Sequence, residues 1–519
     1  MNGTGDSGGG GGGSGAAGTA GRTDRQVRFV DTTLRDGSQS LWAMGMRHGM
    51  MAPIAADMDR AGFHAVEVIA NPIFFKKIVR DLKEDPWVTL RMLAERMPRT
   101  RKTGMGLVTA PGAPPVVNRL AMQLTADLVR PYRVQTVCNT RDELARVLPT
   151  TIPLFKELGL ETCIGVSFSI SPRHTDDLFV DKARTAAALS PDALYLKDQG
   201  GLLTVDRVRS LVPRLLEAAG DLPLELHSHC TTGLAPAVYA EALRLGIRCV
   251  HTGIPPAADG SAQPSVLDVA HNARVLGLDP VLDEPLVRDV ARRLDASARA
   301  EGLPPGEPSR YDEAQFVHQI PGGVISNLRF QLAAIGLEDR LGEVVEESVH
   351  VRADLGYPIM ITPFSQYVVT QSTLNVVTGE RYRVAIDEVI RFAQGDGGVD
   401  SGYLDMDQDL RDRLCALPRA RELAAQRDRP PEDLTVRQAK ERYGTVTMSD
   451  EELVLRAIMQ GTDEIDAMRQ AGPPRRFASS DLPLVRLLRD LDRHRAVTYV
   501  HVQRGGDRLL ALRPGPPSR

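Results

Sequence analysis

Ala193-Leu194-Tyr195-Leu196-Lys197-Asp198 is a short apolar run that ends in a lysine and an aspartate, with Ser190-Pro191 before it and Gly200-Gly201 after it. An apolar run of this length bounded by turn residues reads as a buried strand whose polar end opens into a site. Lysine is scarce in this chain beside arginine, so a lysine at the end of a core strand points to an amine that can lose its proton. The bland alternative is a lysine whose stem lies along the strand end while its head reaches water. Two other strand ends tell against it. Leu222 to Leu226 runs into His227-Ser228-His229, and the first apolar run, Val27 to Val30, runs into Asp31-Thr32-Thr33-Leu34-Arg35-Asp36.

Outward from that stretch, further strand candidates lie at Ala65 to Ile69, Gly106 to Val108, Thr162 to Val166 and Cys249 to Thr252. Helical stretches such as Ala52 to Arg60, Arg141 to Glu157 and Val205 to Ala219 separate them. Repeated βα units favour a parallel sheet with helices outside, and over about 250 residues a closed eight-stranded barrel is the natural form. A doubly wound open sheet is the rival, but no Gly-rich dinucleotide loop follows the first strand. After about residue 305 the rhythm fades. Gln315 to about Ala471 reads as mostly helical, with loops at Pro321-Gly322-Gly323 and Thr362-Pro363. The expected fold is therefore α/β, a TIM (β/α)8 barrel over 26–305 followed by a mostly helical C-terminal domain over 306–472. A small segment over 473–519 follows, with a helix-like run at Leu484 to Leu491. Its hairpin pairs Val497 to Val502 with Leu509 to Leu512 around Gly505-Gly506. Residues 1–25, mostly glycine with serine, threonine and alanine, read as a disordered tail.

At 519 residues and net charge −4, the chain has ordinary soluble composition, with nothing to favour nucleic acid or a membrane surface as partner. No uninterrupted apolar run reaches the roughly 18 residues of a membrane span. The cysteines are odd in number and scattered without paired ligand spacing, and no signal peptide precedes the first strand, so the expected setting is the cytoplasm.

In a barrel, polar residues at the carboxyl ends of strands converge on one site whatever their separation in sequence. Asp36, Lys197, His227 and His229 all fall at or just after such ends. Histidines at i and i+2 of a strand face the same side, so both imidazoles can reach one ion. A His-x-His pair with a carboxylate suits a divalent transition metal such as zinc, manganese or cobalt.

Asp31-Thr32-Thr33-Leu34-Arg35-Asp36-Gly37-Ser38-Gln39-Ser40, Leu196-Lys197-Asp198, His227-Ser228-His229-Cys230-Thr231-Thr232-Gly233 and Gln319-Ile320-Pro321-Gly322-Gly323 closely resemble the biotin-dependent carboxyltransferase family. That family takes in the carboxyltransferase domain of pyruvate carboxylase, the oxaloacetate decarboxylase alpha subunit and the transcarboxylase metal-containing subunit. Shorter matches include Glu84-Asp85-Pro86-Trp87, Gln263-Pro264 and Gly356-Tyr357-Pro358, so the resemblance runs from about Val27 to Ala471. It implies metal ligands at Asp36, Lys197, His227 and His229, with Lys197 carbamylated. It also implies that Arg35 and Gln39 hold a 2-oxo acid beside the metal, and that Ser261, where the family has threonine, moves the proton between biotin and substrate. The implied reaction passes a carboxyl group between carboxybiotin and a metal-stabilised enolate of a 2-oxo acid or related acid. The family suggests a homodimer.

Departures from the family pattern gather where the organic substrate belongs. Ile69-Ala70-Asn71 stands for Trp-Gly-Gly, and Gly106-Leu107-Val108-Thr109-Ala110 has no counterpart of Leu-Arg-Gly-Gln-Asn, whose arginine helps bind the substrate carboxylate. In the following strand Tyr132-Arg133 fits the pattern, whereas Gln135-Thr136 replaces Phe-Asp. No lysine lies between two methionines, so the expected biotin partner is a separate carrier protein. Two rival readings stand beside the carboxyltransferase: a biotin-independent metal-dependent decarboxylase or lyase on the same scaffold, and a non-catalytic assembly subunit.

Overall fold

A computed structural model of the chain describes residues 25–477 except 111, 397–404 and 428–431, and beyond them 487, 491, 499–504 and 507–512. Strands β1 (Gln26–Asp31), β2 (Ala65–Glu67), β3 (Arg101–Met105), β4 (Tyr132–Cys138), β5 (Glu161–Ser167), β6 (Ala193–Asp198), β7 (Leu224–Ser228) and β8 (Cys249–Thr252) run parallel in chain order. The sheet closes because β8 returns to β1, with Phe29 opposite Val250, while β1 also pairs with β2. A two-residue strand, β9 (Asp279–Pro280), adds to the start of β1. The expected barrel is therefore present, with helical segments between its strands.

The helix Val205–Ala219 falls where its pattern put it. Thr204 caps it by accepting from Arg207 N at 3.2 Å, and Val208, Leu211, Val212, Leu215 and Ala219 form its buried stripe. One strand differs: β3 precedes the apolar run Gly106 to Val108. Lys102 reads as a surface residue, yet it is fully buried, its Nζ donating to the carbonyls of Met97 at 2.8 Å and Arg130 at 3.2 Å. Gly106 then takes a φ of +78°, which ends the strand before the apolar residues. Pro321-Gly322-Gly323, read as a loop, instead starts the helix Gly322–Ala334.

Residues 314–471 are mostly helical among those described, as expected. Part of this region, from Ile320 to Leu423, has its own apolar core, whereas Leu453 to Met468 packs into the core of the barrel. Trp87 ties that second part down, its indole donating to Glu451 O at 3.2 Å. Near the carboxyl end β10 (Val500–Arg504) and β11 (Asp507–Leu512) pair antiparallel, as the hairpin reading expects. Residues 1–24 of the glycine-rich tail, the turn residues Gly505-Gly506 and most of Leu484 to Leu491 lie outside the described residues. No helix among the described residues is long and apolar enough to cross a membrane.

Candidate metal centre and substrate cleft

Three groups from two strand ends meet inside the barrel mouth. A single π-turn, Thr33–Gly37, follows β1 and turns Asp36 inward, so that its Oδ2 lies 3.3 Å from His227 Nε2 and 3.6 Å from His229 Nε2. The two Nε2 atoms are 3.2 Å apart. His229 directs Nδ1 at the Ser261 carbonyl, 2.7 Å away; a carbonyl only accepts, so Nδ1 carries the hydrogen and the Nε2 lone pair faces the cluster. Burial pushes the Asp36 carboxyl upward, but Arg35 and His229 outweigh it and hold the group well below the usual carboxylate range. Burial likewise holds His227 far below its ordinary value, so its imidazole is neutral.

Lys197, opposite His227 in the β6–β7 ladder, completes the rim. Burial, reinforced by Arg35, lowers its amine to about 8. Its Nζ lies 3.5 Å from Met105 Sδ, and among the described residues no carboxylate is within ion-pair distance. Two imidazole lone pairs and an ionised carboxylate are a donor set that fits a divalent transition metal, with the Lys197 amine beside them. Asp198, next to Lys197, points away: its carboxylate accepts from Leu202 N, Leu203 N and Ser228 Oγ at 2.8, 2.9 and 2.7 Å and shapes the turn instead. That turn needs Gly201, whose φ is +65° and whose Cβ would fall 2.5 Å from His229 O.

Arg35 and Gln39 also reach the site, and Arg35 donates to Gln39 Oε1 at 3.2 Å. The guanidinium of Arg35 is otherwise engaged, hydrogen-bonded to Glu67 and 3.4 Å from Asp36. Ser261 Oγ donates to Ser40 O at 2.7 Å, against the start of the helix Gly322–Ala334. A Cβ on Gly322 would come 2.3 Å from that of Ser261, so glycine permits this approach. Ser261 stands at the wall, behind Ser40, and is not among the residues that line the cleft.

The cleft itself has a volume of about 280 Å³ and runs from Lys197 and His229 out to Ile73 and Asn327. Arg35 and Lys197 are its lining cations, while Gln39, Asn71, Gln199, Asn327 and Gln366 supply five carboxamides. Pro321, Val324, Ile361 and Thr362 bring the helical region in as one wall.

Two residues escaped the reading of the sequence. Gln263, fully buried, sets its side-chain amide 2.9 Å from His229 Nε2 and 3.2 Å from Asp36 Oδ2; it belongs to the Gln263-Pro264 match, but nothing local says that it reaches the metal position. His251, on β8, has Nδ1 3.0 Å from His227 Nδ1 and carried no signal beyond being a polar residue in an apolar run.

Comparison with known proteins gives a consistent result. Residues 26–293 match the HMGL-like family, and residues 316–471 match the conserved carboxylase domain. The chain is 36% identical over 377 residues to one of the subunits of pyruvate carboxylase from Methanocaldococcus jannaschii, covering 71% of this chain and 65% of that one. It is 30% identical over 384 residues to the 2-oxoglutarate carboxylase large subunit of Hydrogenobacter thermophilus, covering 73% and 58%. The chain thus spans somewhat less than two thirds of the length of these relatives. The carboxyl transferase domain of Rhizobium etli pyruvate carboxylase shares the fold, with a TM-score of 0.74 at 21% identity over 87% of this chain and 79% of that one.

Proposed function

The chain belongs to the HMGL-like family, in its biotin-dependent carboxyltransferase branch, and from that premise we propose that it moves a carboxyl group between biotin on a separate carrier protein and a 2-oxo acid or related acid. The observation that carries this reading is the convergence of Asp36, His227 and His229 beside a Lys197 amine lowered to about 8.

Asp36, His227, His229 and a carbamylated Lys197 would hold a divalent metal, which when bound supplies Lewis-acid polarisation of the substrate carbonyl. A neutral amine is what reacts with carbon dioxide, and burial of Lys197 makes that form accessible near neutral pH. Gln39, fixed by Arg35, presents its amide to the acid beside the metal position. Phe74, Met44, Met105 and Ile361 line the cleft with apolar surface and keep water from the reacting carbon. Ser261 Oγ is the proton carrier of this scheme. Its hydrogen is donated to the carbonyl of Ser40, a residue that lines the cleft, so the scheme requires Oγ to rotate away from that carbonyl to reach biotin. Four of the five cysteines are buried and none is in a disulfide, which suits a reducing cytoplasm. A homodimer is the proposed assembly.

The shortage of free cations in the cleft favours, as a second reading, a biotin-independent decarboxylase acting on an acid whose charge lies outside it. The deciding experiment incubates the purified protein with a panel of 2-oxo acids, with and without free biotin, and follows release or exchange of labelled carbon dioxide. Turnover that requires biotin supports the carboxyltransferase. Equal turnover without biotin supports the second reading, and no turnover with any acid in either condition sinks both.

A further inference from the structure

His251 touches two different partners with its two ring nitrogens. Nε2 lies 3.0 Å from Glu225 Oε2, and Nδ1 lies 3.0 Å from His227 Nδ1. All three residues are buried within the barrel. Glu225 is in turn forked by Arg133, whose two terminal nitrogens donate to its two oxygens at 2.5 and 3.0 Å. A carboxylate held by a guanidinium in this way only accepts, so the hydrogen between Glu225 and His251 belongs to His251 Nε2.

The guanidinium already balances the charge of Glu225. A second buried cation on His251 would go uncompensated, so His251 is neutral and its Nδ1 bears a lone pair. That lone pair faces His227 Nδ1, and a hydrogen bond there requires His227 to supply the hydrogen. His227 Nε2 then carries the lone pair, 3.3 Å from Asp36 Oδ2, 3.2 Å from His229 Nε2 and 3.2 Å from the Gln263 side-chain amide, which can donate to it. The Tyr195 ring lies on His251 at 5.4 Å between centroids and 17° between planes, which fixes the imidazole plane.

We infer that His251 is a positioning residue of the metal centre: backed by Glu225 and Arg133, it sets the Nδ1–H tautomer of His227 and aims the unprotonated Nε2 at the metal. This rests on the proposed ligand role of Asp36, His227 and His229. A hydrogen bond to the far nitrogen of a ligating imidazole fixes both its tautomer and its orientation. His229 obtains the same tautomer from a backbone carbonyl, which no side-chain substitution removes. His227 depends on a side chain, and the device is therefore open to test.

The experiment compares wild type, His251→Phe and His251→Asn. Phenylalanine keeps a ring but removes the acceptor, whereas asparagine keeps an acceptor near the position of Nδ1. Zinc affinity is read by competition with a chromophoric chelator. The tautomer of His227 is read from ¹⁵N shifts in metal-free, histidine-labelled protein. In wild type the His227 hydrogen is expected on Nδ1. The Phe variant is expected to move it to Nε2 and to bind zinc about 10- to 100-fold more weakly, and the Asn variant to recover most of that loss. Unchanged zinc affinity in the Phe variant, an equal loss in both variants, or a wild-type His227 protonated on Nε2 would each overturn the inference. Should the Phe variant not fold, the wild-type tautomer and the Asn affinity decide. A wild type that binds no zinc while His227 is protonated on Nδ1 overturns the metal reading and leaves the proton order standing.

Discussion

Arg35, in the turn that follows the first barrel strand, is paired with Glu67, at the end of the second, and both side chains are almost wholly removed from water. Removing either partner strands the other: a buried charge left without its mate costs about 3–5 kcal/mol. Arg35→Ala and Glu67→Ala should each destabilise the protein. The double variant should be more stable than their sum implies, with a coupling of about 1–3 kcal/mol in urea unfolding. Strict additivity would show that the two charges are separately solvated.

The same pairing bears on substrate choice. With Arg35 engaged and Lys197 assigned to the metal, the carboxylate of a minimal 2-oxo acid finds no free cation among the described residues lining the cleft. Pyruvate should therefore turn over more slowly than a 2-oxo acid with a longer polar chain, which Asn71, Asn327 and Gln366 can bind. Comparison of kcat/KM across such acids checks this, and a clear preference for pyruvate would refute it.

If the proposed carbamate on Lys197 is a ligand, Lys197→Ala should lose bound metal and activity together, against about one ion per chain in the wild type. Metal content by mass spectrometry after extensive dialysis is the readout. A variant that keeps both would end the carbamate assignment.

Ser261→Ala removes a hydroxyl whose one side-chain hydrogen bond among the described residues is to Ser40 O, so folding and metal content should survive. Turnover should fall about a hundredfold or more, the range for a positioned proton carrier, and Ser261→Thr should retain activity. An Ala variant of unchanged rate would place the proton transfer elsewhere.

Stability should also weaken in mild acid. Burial lowers His174 from 6.5 to about 3, so the folded chain keeps this imidazole neutral while the unfolded chain protonates it below about 6.5. The unfolded state then binds more protons between those values, and stability falls as pH drops through that window, by about 2 kcal/mol from this residue at pH 5. The urea midpoint of His174→Gln should fall less between pH 7.5 and 5 than that of the wild type. Parallel loss in both would assign the acid sensitivity to other groups.

Some of this architecture is written locally and some is not. The opening stretch could be read because β6 is apolar until Lys197, and strand-end geometry gathers such residues without help from distant sequence. β3 could not: Arg101 and Lys102 look solvent-facing, and only the carbonyls of Met97 and Arg130 make a buried ammonium tolerable. The Glu67 partner of Arg35 and the Glu225 partner of His251 escaped for a related reason. Glu225 and His251 sit on neighbouring strands of a closed sheet, and Glu67 on β2 meets Arg35 in the turn after β1; neither meeting leaves a periodic trace in its own segment.

The cleft wall formed by Pro321, Val324, Ile361 and Thr362 comes from the region matching the conserved carboxylase domain, whereas the metal-side residues come from the barrel. The metal-side groups thus come from the barrel alone, whereas the walls that meet the acid are shared between the barrel, through Asn71, Ile73 and Phe74, and the second region. A barrel produced alone would lose both one wall of the cleft and the segment from Leu453 to Met468 that packs into its core. Change at Val324, Ile361 or Thr362 can reshape that wall while the residues that converge at the barrel mouth stay as they are.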